Sequence, residues 1–61
     1  MKLMIFLREG TGSFDLVWQG ERDVIARVGE LVQIQDGRVF KVKSILHRVY
    51  SDDAIDMVVE L

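Results

Sequence analysis

Residues 29–61 read GELVQIQDGRVFKVKSILHRVYSDDAIDMVVEL. Apolar and polar residues alternate through this stretch, with breaks at Asp36-Gly37 and at Ser51-Asp52-Asp53. Period-two alternation marks strands with one covered face, and Asp-Gly between two such runs is a hairpin signal. The stretch therefore reads as three strands joined by two turns. The first turn has two possible registers. A two-residue loop at Asp36-Gly37 sets Ile34 opposite Val39 and Val32 opposite Lys41, which drives Lys41 into the core. A three-residue loop, Gln35-Asp36-Gly37, with Gly37 left-handed as a bulge, shifts the pairing by one. Val32 then lies opposite Phe40, and Glu30 faces Val42. Val32, Ile34, Phe40 and Val42 share one face, while Gln33, Lys41 and Lys43 point outward. A slip of one residue turns every side chain over, so the apolar pattern selects the bulged turn.

Beyond Lys43 the alternation changes phase. Phe40 and Val42 are even-numbered, whereas Ile45 and Val49 are odd. A bend or bulge near Ser44 lets one long strand serve two faces of a barrel. In the last strand Ile55, Met57, Val59 and Leu61 face in, and Asp56 and Glu60 face out. Toward the N-terminus, segments 2–7 and 14–18 form a hairpin through Gly10 and Gly12. Leu3, Ile5 and Leu7 face one way, and Met4 and Phe6 the other. Both faces of this first strand are apolar, so both call for cover. In the second strand, alternation places Phe14, Leu16 and Trp18 on one face. Residues 21–28, ERDVIARV, suit one helical turn or a short strand equally, and we take them as an extended crossing segment.

Sixty-one residues make a single small β domain, 1–61. A chain of this size buries only about 60% of the surface its unfolded form exposes. Small domains compensate with disulfides, a metal or self-association. There is no Cys, so disulfides and thiolate metal sites are excluded. A lone His cannot build a zinc site without several carboxylates. Self-association is left, as a homodimer with the first or last strand at the interface. The absence of Cys fits the cytoplasm. The apolar run Leu3–Leu7 is too short for a signal peptide or a membrane span, so no membrane association is expected.

Chemistry-bearing residues are sparse. His47 is the single group that titrates near neutrality. As a general base it needs a partner, and Asp52, Asp53 and Asp56 lie across the last turn. The plainer alternative is a half-buried strand histidine bonded to backbone or water. The same three aspartates could ligate a hard cation, but their spacing is not that of a calcium loop, and Asp favours turns for local reasons. Thr11, Ser13, Ser44 and Ser51 sit in no nucleophile motif. No catalytic centre, metal site or cofactor is expected. Arg38, Lys41, Lys43, His47 and Arg48 make a basic stretch interleaved with Phe40 and Tyr50. Such a hairpin can stack bases and track phosphates. It can equally be a solvated face that guards an edge strand. The net charge of −2 speaks against a phosphate-coating protein. Trp18, beside Phe14 and Leu16, suits either the core or an exposed apolar interface. The candidate partner-binding residues are thus Trp18, Phe40, Lys41, Lys43, His47, Arg48 and Tyr50.

The string VGELVQIQDGRVFKVKSILH resembles a pattern found in small β-barrel accessory proteins of bacteriophages and mobile elements. The matching positions are Val28, Gly29, Glu30, Val32, Ile34, Gly37, Phe40, Val42 and His47. That pattern often carries a proline just before the Gly-acidic pair, where Ala26 and Arg27 stand here. The resemblance covers residues 28–47 and implies an SH3-like or related small barrel in a phage-type accessory protein, with no catalytic residue carried over.

The expectation is an all-β protein: a five-stranded antiparallel barrel or curled sheet, SH3-like and dimeric. Its expected work is non-catalytic binding, as a counter-defence inhibitor acting on a host protein. The alternative is a nucleic-acid or nucleotide binder using the basic hairpin from Arg38 to Arg48.

Overall fold

The computed structural model describes residues 1–50 and 53–61; Ser51 and Asp52 lie outside the described residues. The described residues contain five strands: β1 (Lys2–Glu9), β2 (Ser13–Glu21), β3 (Leu31–Gln33), β4 (Val39–Arg48) and β5 (Ala54–Glu60). They form one sheet in the order β2-β1-β5-β4-β3, curled into a half-barrel. No helix among them is long and apolar enough to cross a membrane.

The sheet is mixed, which corrects the antiparallel expectation. β1 pairs antiparallel with β2 but parallel with β5, from Lys2↔Ala54 to Leu7↔Val59. The physical reason is the joining of two units. A β1–β2 hairpin docks through β1 onto the outer strand of a β3–β4–β5 meander. Local alternation specifies each unit, but it carries no information about which way the two units meet. β1, β5 and β4 are therefore the inner strands, each paired along both edges, and β2 and β3 are the edge strands.

The bulged turn at Gly37 forms as the pattern requires. Val32 lies opposite Phe40, and Leu31 opposite Lys41. The Ile34 amide donates to the Arg38 carbonyl (3.0 Å) and the Gly37 amide to the Ile34 carbonyl (3.0 Å), closing the three-residue loop 35–37. Gly37 has φ +95°, a conformation that costs L-residues with a side chain. Asp36 closes the turn: its Oδ1 accepts from the Arg38 amide (2.9 Å) and its Oδ2 from Arg38 Nε (2.7 Å). β4 carries the phase change as a bulge, with register shifting between Val42↔Val59 and Ser44↔Val58.

The core fills the inner face. Leu3, Ile5, Leu7, Ile34, Phe40, Val42, Ile55, Met57 and Val59 pack into one cluster, joined by half-buried Val17, Trp18, Ile25, Ala26, Val32 and Ile45. Residues 22–30 have no regular structure and close the open side of the half-barrel, where Ile25 and Ala26 meet the core. The end of this segment is tied to β4: the Gly29 amide donates to the Val42 carbonyl and the Val42 amide to the Glu30 carbonyl, both at 2.9 Å. Two expectations shift. Leu61 lies beyond β5 and is exposed rather than buried. Trp18 does not share a face with Phe14 and Leu16. The β1–β2 register runs Ile5↔Trp18 but Phe6↔Leu16, so a bulge at Val17 turns Trp18 inward and leaves Phe14 and Leu16 outside.

Candidate interaction surface

The outer face of the sheet carries the main uncovered apolar surface. The strand registers place Leu16, Phe6, Val58 and Ser44 in one row across β2, β1, β5 and β4. The next row holds Gln19, Met4, Asp56 and Leu46, and Phe14 stands beside Arg8 on the other flank. β1 and β5 contribute half-buried Phe6 and Val58, while Phe14 on β2 and Leu46 on β4 are 54% and 60% exposed. The result is a depression of about 530 Å³ lined by Phe6, Phe14, Ser44, Ile45, Leu46, Asp56 and Val58. One pair of charges on this face is matched. Arg48 Nε lies 3.2 Å from Asp56 Oδ2, and Arg48 Nη2 is 3.6 Å from Met4 Sδ. Asp56 Oδ1 has no hydrogen-bond partner among the described residues.

The residues singled out from the sequence fall in several places. Phe40 is 1% exposed and belongs to the core, so its ring is not open to stack a base. Arg38 stands 5.4 Å from its centroid and is held by Asp36. The Arg38 amide, then its guanidinium, hold the Asp36 carboxyl below the usual carboxylate range. Trp18 is a half-buried wall of the inner face. Lys41 is exposed opposite Glu60, and Lys43 sits in the β4 bulge. His47 pairs with Ile55, while Arg48 and Leu46 belong to the outer face. Tyr50 is 89% exposed past the end of β4.

The basic residues thus do not share one stripe: the β4 bulge and strand alternation distribute them over both faces, and several stand beside acids. Of the aspartates in the last turn, Asp52 lies outside the described residues, Asp53 is exposed with φ +51°, and Asp56 is engaged by Arg48. Among the described residues no group of three or more His, Asp or Glu is placed to hold a metal. His47 and Asp56 sit on opposite faces, because β4 sets Leu46, not His47, opposite Asp56.

One electrostatic feature went unread in the sequence. Glu9 and Asp15 come together at the exposed end of the first hairpin. A hydrogen bond between them, and then their mutual repulsion, raise the Glu9 carboxyl above its usual value, with Arg38 opposing. The sequence signal was the register of the first hairpin, which sets Asp15 opposite Leu7 and on the same side as Glu9. The outer apolar depression was also unread, because it needs the parallel β1–β5 pairing to bring Phe6 and Val58 together. No family model matches the chain, and comparison with curated proteins and with solved structures finds no match.

Proposed function

We propose that this chain is a non-catalytic binding protein that acts as a homodimer, assembled through the outer face of its sheet. The observation that carries this reading is the apolar row Leu16–Phe6–Val58 with Phe14 and Leu46 standing uncovered beside it. A second copy is the occupant we favour for three reasons. The face has its own knobs and its own hollow, so a two-fold axis can seat Phe14 of each copy in the depression of the other. Arg48 and Asp56 already offset each other, so this pair brings no unbalanced charge into the contact. A standard interface takes about 800 Å² from each partner. That is about a fifth of the 4358 Å² surface of this chain, a share one face of a four-strand sheet can supply.

The wider role is that of a phage-type accessory or counter-defence protein, in which the assembled dimer occupies a host protein and blocks it. This rests on the resemblance of residues 28–47. The competing reading, nucleic-acid binding, draws on exposed Lys41, Lys43 and Tyr50. The test compares two double variants. Leu16→Glu with Leu46→Glu should weaken self-association at least tenfold while circular dichroism retains the β spectrum. Lys41→Ala with Lys43→Ala should leave association unchanged, and generic DNA should bind neither form. Micromolar DNA binding that falls steeply with salt and disappears in the double Lys variant would instead establish the nucleic-acid reading.

A further inference from the structure

The half-barrel leaves a seam between β2 and β3, and a groove of about 310 Å³ opens there on the inner side. Its floor is the core itself: Leu3, Ile5, Ile34 and Met57, each 8% exposed or less. Trp18 and Ile25 form its walls, and Arg22, Gln33 and Gln35 line its exposed rim. Two details mark it as more than loose packing. First, the Trp18 indole lies over Gly20. A Cβ at position 20 would stand 2.7 Å from Trp18 Cη2 and 2.9 Å from Cζ2. The bare glycine lets the indole lie along the strand as a wall, where a side chain at position 20 would push it off the strand. Second, Arg22 makes no side-chain hydrogen bond or ion pair among the described residues, although its backbone amide is tied to the Met1 carbonyl (2.9 Å). The rim therefore offers a cation, and elsewhere on it the Gln35 amide, over an apolar floor.

We propose that this seam binds a small amphiphilic acid: an aromatic or branched apolar body buried against Trp18, Ile25 and Met57, with one carboxylate at the Arg22 rim. The groove lies at the lower end of the size range of ligand sites, which restricts the ligand to roughly a dozen heavy atoms. Arg gives bidentate recognition of a carboxylate, so charge as well as shape selects the ligand. The site is on the inner side of the sheet, away from the proposed dimer face, so the two proposals stand or fall separately.

Trp18 is the one tryptophan and lines the groove, so it reports occupancy directly. The experiment titrates the full chain with 4-phenylbutyrate and with the uncharged 4-phenylbutanol. Trp18 emission is followed together with NMR shifts of the Ile25, Ala26 and Ile34 methyls. The expected result is saturable binding of the acid, at least fivefold tighter than the alcohol, with shifts confined to those methyls. Arg22→Gln, an exposed substitution that leaves the core untouched, should reduce the preference for the acid to near unity. No saturable change up to ten-millimolar acid would overturn the proposal. So would equal affinity for acid and alcohol, or shifts centred on Leu16 and Leu46.

Discussion

Trp18 and Gly20 sit on the same side of β2, two residues apart, and the indole occupies the space that a side chain at position 20 would fill. The glycine weakens the strand through its backbone entropy, and the ring offsets that by covering the exposed backbone. This pairing makes a sharp prediction. Gly20→Ala forces the indole off the strand; overpacking costs up to about 1–3 kcal/mol, against about 0.5–1 kcal/mol regained by replacing a strand glycine. Urea unfolding followed by Trp18 fluorescence should show the midpoint fall and the folded-state emission shift to longer wavelength as the ring gains water. An unchanged midpoint and emission would mean that the ring does not rest on Gly20. At the same scale, two of the basic residues in β4 stand against acids. Arg48 is spent on a half-buried carboxylate and a thioether, and Lys41 stands opposite Glu60.

The elements differ in how much of them the sequence discloses. The β3–β4 hairpin was fully legible, because only one register keeps Lys41 out of the core while setting Val32 opposite Phe40. Its left-handed glycine carries the next prediction. A β-branched residue at φ +95° is strained by about 1–2 kcal/mol, so Gly37→Val should lower the melting temperature by several degrees. Gln35→Ala, in the same loop but exposed, should change it little. Calorimetry on both variants decides, and equal small shifts would contradict a turn centred on residues 35–37. The β4 bulge near Ser44 was legible too, because the apolar residues change parity there. The bulge at Val17 was not. Leu16, Val17 and Trp18 are all apolar, so no polar residue in that run reports the change of face. The 21–28 segment was ambiguous for the same kind of reason: it crosses an open seam, makes few ladder hydrogen bonds, and imposes no period on its side chains. The outer depression lay beyond any local reading, since it depends on a parallel pairing between residues about fifty positions apart.

At the scale of the whole molecule, a sheet that curls without closing must manage two surfaces. The inner one holds the core and opens at the β2–β3 seam. The outer one carries Phe6, Phe14, Leu16, Leu46 and Val58 across four strands, with Phe14, Leu16 and Leu46 exposed. Burial of each such side chain is worth about 1.5–3 kcal/mol. A second copy laid over that face would therefore add stability that this small core lacks, and it would make the stability depend on protein concentration. Sedimentation equilibrium across a range of micromolar concentrations, at moderate salt, tests this most directly. The account predicts a species of twice 7.0 kDa whose dissociation is promoted by Leu16→Glu with Leu46→Glu. A mass of 7.0 kDa throughout the range, for the unaltered chain, would contradict it.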